Sequence, residues 1–293
     1  MQAPQNNPNG LRPASSGEWA GLSLFLGRES EERRLRAAIL GAQSLTIEGP
    51  AGIGKTALVS HAIQSLPASV AARCLYFAGV KDLQDLLRRL IRALYEADDP
   101  RLRRQLQTEK VSSFSFAGWL KELSTSRLKG TVYRAVEGGD YRIFLDHLPP
   151  LTRAVAKVVK ELFWMRRTPV YLVPRAEAQQ TISRFNHFFY WGDRERLSLG
   201  PLPRPAAQEL LENCIERFGL ARLDLTDFRE EVLELSRSVP GAIVKMCALA
   251  SDARYQYGTR IKIKSAYVEY LMTGHEVGTK QFPATKRSAA RSQ

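Results

Sequence analysis

Apolar and polar residues follow two different periods along the first two hundred positions of the chain. Short apolar runs, typical of buried strands, alternate with longer segments in which leucine and isoleucine recur every three or four positions, as in amphipathic helices. The runs predict strands over Ser44–Glu48, Val70–Phe77, Tyr141–Leu148 and Val170–Val173. The periodic segments predict helices over Glu29–Leu40, Ala57–Leu66, Asp82–Ala97 and Leu151–Met165. This alternation predicts the α/β class, a parallel sheet with helices on both faces.

The pattern changes after a last short strand, Arg196–Leu199. Helices alone are predicted from there, over Pro205–Phe218, Asp227–Arg237, Pro240–Tyr257 and Lys262–Met272. We therefore expect four parts: a flexible leader rich in Pro, Asn, Gly and Ser (1–20), an α/β core (21–202), a small all-α domain (203–273) and a disordered basic tail (274–293). Residues 98–140 are polar and basic and are harder to place, with short helical stretches predicted, such as Phe116–Leu123.

The composition is that of a folded protein. Of 293 residues, 44% are hydrophobic and 25% are charged, which excludes wholesale disorder. No apolar run approaches the roughly 18–20 residues of a membrane helix, and the first residues lack the apolar stretch of a secretory signal. Cys74, Cys214 and Cys247 lie too far apart for metal-ligand spacing. We expect a cytoplasmic protein that does not contact membranes.

The net charge is strongly positive, at +13. Segments 81–135, 151–200 and 254–293 carry net charges of +5, +5 and +6. Such surfaces attract polyanions, and non-sequence-specific nucleic-acid binding is the usual consequence. Aromatic residues lie among these charges, where they could stack on bases or, as their helical spacing favours, face a core. They are Phe114, Phe116, Trp119, Tyr133, Tyr255, Tyr257, Tyr267 and Tyr270.

The segment GPAGIGKT, between a predicted strand and a predicted helix, fits the phosphate-binding pattern G-x-x-x-x-G-K-[ST] at every fixed position. Glycines let the backbone curl around a phosphate, and the following helix presents its positive end. The lysine can reach the β- and γ-phosphates of ATP. The predicted nucleotide-binding residues are Gly49, Pro50, Ala51, Gly52, Ile53, Gly54, Lys55, Thr56 and Ala57.

A nucleotide site of this kind also needs a carboxylate at a strand end to help hold Mg²⁺. Asp146 follows the apolar residues IFL and stands where the chain leaves the strand. We expect Asp146 and the Thr56 hydroxyl to hold the metal, with ATP and Mg²⁺ as cofactors. The alternative for Asp146 is a residue that begins the turn before Pro149.

The residue after this aspartate is unusual. His147 stands where a glutamate would normally polarise the attacking water. A histidine can act as a base near neutral pH, although a lone histidine is more often structural. Lys55, Asp146 and His147 are therefore the catalytic candidates. The residues predict ATP binding and leave the rate of hydrolysis open.

Phe25-Leu26-Gly27-Arg28-Glu29, followed by a helix and the phosphate loop, resembles the opening of AAA+ and STAND ATPases, most closely the Orc1/Cdc6-like and transposition-ATPase groups. The resemblance extends over about residues 25–271. It implies a P-loop ATPase core followed by a helical lid. It also implies that Leu26, Gly27 and Arg28 line the base or ribose end of the nucleotide.

The same resemblance assigns further residues. Arg175, after the strand Val170–Val173, is similar to the STAND arginine that reads the γ-phosphate. Pro240 lies in a segment that is similar to the sensor region of the lid, where it would contact nucleotide. In a homo-oligomer, Arg184 or Arg194 would reach a neighbouring subunit's nucleotide, although both could equally be surface charges.

These observations lead to one main hypothesis and two alternatives. The first is an AAA+/STAND-type ATPase that binds ATP·Mg²⁺ between core and lid and regulates a nucleic-acid transaction such as transposition or replication. The second is a STAND-like switch that acts on a protein partner, with the positive surface incidental. A small-molecule kinase is disfavoured by the long lid and by the lack of a clear acceptor-binding carboxylate motif.

Overall fold

The computed structural model describes residues 25–109, 115–137, 140–166, 168–175, 178 and 195–273. The chain divides into two compact units, one spanning Gly27–Leu202 and one that begins at Pro203. None of the helices within the described ranges combines the length and the apolar character that a membrane crossing requires.

The first unit is built on a five-stranded parallel sheet in the order β2-β3-β4-β1-β5. Its strands are β1 (Leu45–Glu48), β2 (Cys74–Ala78), β3 (Arg142–Leu148), β4 (Val170–Pro174) and β5 (Glu195–Ser198). The carboxyl ends of parallel strands share one edge, which is where open α/β sheets bind ligands. Strand β4 lies between β1 and β3. The predicted parallel α/β class is confirmed.

Helices surround this sheet. They are α1 (Glu29–Leu40), α2 (Lys55–Gln64), α3 (Ala68–Ala71), α4 (Leu83–Glu96), α5 (Pro100–Glu109), α6 (Phe116–Glu122), α7 (Thr125–Val136) and α8 (Arg153–Arg166). Helices α5 to α7 come from the basic stretch 98–140, and α6 agrees with the helical stretch predicted over Phe116–Leu123. Their leucines Leu102, Leu120 and Leu128 are buried in one cluster with Leu86 and Leu90 of α4. This polar stretch therefore belongs to the core of the first unit.

The second unit is helical, with one short ribbon. Its elements are α9 (Arg204–Arg217), α10 (Phe228–Ser236), α11 (Pro240–Ala250), the antiparallel pair β6 (Gln256–Tyr257) and β7 (Arg260–Ile261), and α12 (Ile263–Thr273). Helix α11 is the most buried of the four, and it packs against α9, α10 and α12. Four helices thus follow the core, as the predicted fold class expected, and the ribbon β6–β7 is an addition that the all-α prediction did not contain.

Two predicted elements have different bounds in the structure. The strand predicted from Val70 begins only at Cys74, because Pro67 starts the short helix α3 instead. The helix predicted to reach Tyr257 ends at Ala250. There the Asp252 side chain accepts a hydrogen bond from the backbone N–H of Arg254, at 3.0 Å, and caps a 3₁₀ turn that leads into β6.

Candidate functional site

The loop between β1 and α2 curls on three glycines. Gly49, Gly52 and Gly54 have φ angles of +147°, +73° and +98°, which side-chain-bearing residues rarely adopt. Gly49 also lies against the chain that follows β5. A Cβ atom at this position would meet the Leu199 carbonyl oxygen at 2.8 Å and the Ile53 Cγ2 at 3.0 Å. The curled loop therefore requires glycine at its first position.

Lys55 begins α2 and folds over this loop. Its Nζ donates hydrogen bonds to the carbonyl oxygens of Gly49, at 2.7 Å, and Pro50, at 3.0 Å. The ammonium group is thus held at the mouth of the loop, beside the N-terminal end of a helix. The charged ammonium group and the partial positive charge of the helix N-terminus both favour an anion at this position.

Asp146 lies near the end of β3 and is 1% exposed. Its Oδ2 accepts a hydrogen bond from the Thr56 hydroxyl at 2.7 Å, and its Oδ1 accepts one from the His147 backbone N–H at 2.6 Å. The structure thus brings together the two residues that the sequence assigned to the metal, although β4 lies between β3, which carries Asp146, and β1, which precedes the loop that leads to Thr56. Hydroxyl and carboxylate oxygens are the ligands that Mg²⁺ prefers, so this pair fits the ion.

Tyr76 is a site residue that the sequence analysis missed. Its hydroxyl donates a hydrogen bond to Asp146 Oδ2. Burial, and then the negative charge of Asp146, raise the pKa of Tyr76 far above its usual range, so the hydroxyl stays protonated and remains a donor. Because Tyr76 pairs with Phe144 in the register of β2 and β3, it is the diagonal neighbour of Asp146 on the same face.

The His147 side chain also lies beside Thr56 and Asp146. Its backbone has φ +50°, and the pairing of β3 with β4 shifts by one residue between Asp146 and Leu148. The imidazole Nε2 lies 3.3 Å from the Thr56 hydroxyl oxygen and 3.9 Å from Asp146 Oδ2. Since 52% of its side chain is exposed, solvent reaches this part of the site.

Arg28 holds the phosphate loop through its side chain. It is buried, and its guanidinium donates to the carbonyl oxygens of Ile53, at 3.3 Å, and Gly200. A 3.0 Å ion pair with Glu31 fixes its other end. These contacts tie the start of α1 to the loop and to the chain after β5. The expected place of Leu26, Gly27 and Arg28 near the base or ribose stays a prediction.

The remaining candidates are more scattered. Arg175 is exposed just after β4, and its backbone N–H donates to the Leu148 carbonyl oxygen at 3.1 Å, so it lies at the same sheet edge as Asp146. Pro240 is buried in the first turn of α11, in the second unit. Arg184 and Arg194 lie outside the described residues. The roles assigned to these four residues stay predictions.

Residues 24–224 match the family model of the AAA ATPase domain, and the chain therefore belongs to this family. Solved structures with a similar fold agree with this assignment. The Orc1 protein of Aeropyrum pernix in complex with DNA has a TM-score of 0.60 and 17% identity, and the match covers 87% of this chain and 70% of that one.

Two further structures share the fold. The Walker-type ATPase PABY2304 of Pyrococcus abyssi has a TM-score of 0.56 and 15% identity, over 86% of this chain and 75% of that one. The ORC2 protein of Aeropyrum pernix in its ADP form has a TM-score of 0.52 and 13% identity, over 84% and 70%. Identities this low show a common fold and nothing finer. Among curated proteins, none matches the sequence.

Membership of this family confirms the predicted resemblance to AAA+ ATPases and the P-loop NTPase fold. It implies a nucleotide ligand for the chain. In the structure the predicted phosphate loop, Lys55 and the strand-end Asp146 lie together at one site, and their roles toward the nucleotide stay predictions.

Substitution of the first loop glycine tests this geometry. We expect Gly49→Ala to reduce ATP affinity at least about tenfold, because its Cβ would displace either the loop or the Leu199 backbone. Gly200→Ala is the matched control, since a Cβ there meets nothing within 4 Å. Isothermal titration calorimetry with ATP and Mg²⁺ measures both variants. Unchanged affinity in Gly49→Ala would show that the loop does not hold the phosphates in this conformation.

Proposed function

We propose that the chain binds ATP with Mg²⁺ at the phosphate loop and uses the bound nucleotide to control its contact with nucleic acid. The observation that carries the nucleotide part is the 2.7 Å hydrogen bond between Thr56 and Asp146. It joins the helix after the phosphate loop to the carboxylate of a strand that is not adjacent to β1. The phosphate-loop pattern and the strand-end aspartate, which the sequence gives separately, thus meet in one contact.

Each residue has a definite part in this function. The backbone N–H groups of the loop and the start of α2 bind the phosphate oxygens, and Lys55 exchanges its carbonyl partners for the β- and γ-phosphates. Thr56 and Asp146 hold the metal, with Tyr76 orienting the carboxylate. When bound, Mg²⁺ neutralises charge on the phosphates. Arg175, at the same sheet edge, is our candidate for contact with the γ-phosphate.

Hydrolysis depends on an unusual residue in this account. His147 takes the place of the glutamate that would polarise the attacking water, and its half-exposed imidazole can accept a proton from a water molecule. The lone imidazole leads us to expect a slow ATPase, in which nucleotide binding matters more than turnover. Bound nucleotide would then favour whichever state of the protein contacts its γ-phosphate.

The nucleic-acid part rests on charge. Helices α4 to α7 and the turn before α4 expose many cations, and Arg103 among them pairs with Asp98. These cations are Lys81, Arg92, Arg103, Arg104, Lys121, Arg127 and Arg134. Such a surface attracts the phosphate backbone without reading sequence. The aromatic residues that the sequence singled out in these helices do not support base stacking. Phe116, Trp119 and Tyr133 pack against the core cluster. The ring of Phe116 also stacks on that of Tyr95, with centroids 3.8 Å apart. Phe114 lies outside the described residues.

A relative supports the same partner, because the similar Aeropyrum pernix Orc1 structure is a complex with DNA. We extend this to transposition, replication or a similar DNA transaction. A homo-oligomer that shares Arg184 or Arg194 between subunits, and a cytoplasmic location, belong to the same proposal. The competing function is a nucleotide-dependent switch for a protein partner, for which the cations of α4 to α7 would only aid solubility.

Removal of the loop lysine tests nucleotide binding. We expect Lys55→Ala to abolish ATP binding, because the phosphates lose their nearest cation. Lys81→Ala, which removes an exposed lysine from the same unit, should bind as the unaltered protein does. Calorimetric titration with ATP and Mg²⁺ gives the dissociation constants. Retained affinity in Lys55→Ala would contradict the site assignment.

Gel shifts across a salt series test the nucleic-acid part. We expect duplex or single-stranded DNA to be retarded at about 50 mM salt and the affinity to fall steeply toward about 200 mM, since phosphate contacts release counterions. The affinity should differ between samples with ATP and samples without nucleotide. If no retardation occurs at the lowest salt, the protein-partner switch becomes the better account.

A further inference from the structure

Three side-chain atoms of different chemistry surround one point beside the phosphate loop. They are the Thr56 hydroxyl oxygen, Asp146 Oδ2 and His147 Nε2. The two oxygens are 2.7 Å apart, the nitrogen is 3.3 Å from the hydroxyl oxygen, and it is 3.9 Å from the carboxylate oxygen. The nitrogen thus belongs to the same cluster as the two expected metal ligands.

These separations suit a single ion. A triangle with sides of 2.7, 3.3 and 3.9 Å has a circumscribed radius of about 2 Å, close to metal–oxygen and metal–nitrogen bond lengths of about 2.0–2.2 Å. One divalent cation could therefore contact all three atoms with little movement of the side chains.

The backbone is bent at the residue that supplies the nitrogen. His147 has φ +50°, a left-handed conformation that is uncommon for residues other than glycine, and it lies where the register of β3 against β4 shifts. In a regular strand, successive side chains point to opposite faces, so His147 would point away from the face that carries Asp146. The bulge turns the imidazole back toward the carboxylate, and the His147 N–H then donates to Asp146 Oδ1 at 2.6 Å.

We infer that His147 is a direct nitrogen ligand of the divalent metal that accompanies the nucleotide. With the Nε2 lone pair on the metal the imidazole no longer accepts a proton from water, so this role replaces the general-base role considered above. The inference rests on the proposed nucleotide-binding function. With this ligand the protein's share of the coordination sphere becomes a mixture of nitrogen and oxygen, whereas a glutamate at position 147 would offer oxygen alone.

A nitrogen ligand changes which metal the site prefers. Mg²⁺ strongly favours oxygen ligands, while imidazole suits Co²⁺, Ni²⁺ and Zn²⁺, and site affinity rises from Mn²⁺ toward Cu²⁺ along the first transition row. The site should therefore bind a Co²⁺–nucleotide complex in preference to the Mg²⁺ complex, by a larger factor than it would with oxygen ligands alone.

Electron spin-echo spectroscopy of bound Mn²⁺ tests the ligand directly. The probe is Mn²⁺ with a non-hydrolysable ATP analogue, added to protein uniformly labelled with ¹⁵N so that protein nitrogens differ from adenine nitrogens. We expect the coupling of a directly bound ¹⁵N nucleus. His147→Asn should abolish it, and asparagine tolerates the left-handed backbone at this position. His61→Ala, which removes an exposed histidine of α2, should retain it.

A calorimetric comparison gives a second readout. The ratio of the analogue's affinities with Co²⁺ and with Mg²⁺ should fall at least about tenfold in His147→Glu and stay unchanged in His61→Ala. If the analogue binds with Mn²⁺ but no ¹⁵N coupling appears, or if the ratio does not change, the inference is wrong and the proposed function stands. If the unaltered protein binds no nucleotide with any of these metals, both fail together.

Discussion

The hydroxyl of Thr56 and the carboxylate of Asp146 meet at 2.7 Å, and much of the first unit serves to make this contact. Asp146 belongs to β3, and Thr56 belongs to the helix that follows β1. In the sheet, β4 lies between β1 and β3. The contact needs the parallel sheet to bring both carboxyl ends to one edge. It also needs α2 to begin close to that edge, which the curled loop provides. Asp146 is buried, so its carboxylate depends on three donors: the hydroxyls of Thr56 and Tyr76 and the backbone N–H of His147. Loss of the Thr56 contact would leave this buried charge less well compensated.

The supporting contacts explain why this edge keeps its shape. Arg28 holds the loop and the chain after β5 through two backbone carbonyls, and Gly49 lets those two segments approach each other closely. Tyr76 donates to the carboxylate from the opposite side, from β2. Residues of β2 and β3 and the segments that follow β1 and β5 thus contact one another around this site. We therefore expect its geometry to be established before nucleotide binds.

Local signals made much of this architecture predictable. The apolar runs located all five strands of the parallel sheet, and the spacing of GPAGIGKT together with the strand-end position of Asp146 singled out Thr56 and Asp146, our proposed metal ligands, which the structure brings into contact. Helix α6 was predicted over Phe116–Leu123, but α5 and α7 were missed because their arginines hide the leucine spacing, although Leu102 and Leu128 are almost completely buried. Tyr76 was missed because its role depends on β2 lying beside β3, and the pattern along one chain does not contain strand order. The bulge at His147 likewise depends on the register with β4.

The central claim is that Asp146 and Thr56 hold a metal that helps to bind ATP. The most direct test is the effect of Mg²⁺ on ATP affinity, measured by calorimetry with magnesium and with a chelator, for the unaltered protein and for Asp146→Asn. Our account predicts that Mg²⁺ tightens ATP binding at least about tenfold in the unaltered protein and has little effect in the variant, because the amide cannot supply the negative charge. An equal effect of Mg²⁺ in both proteins would contradict it.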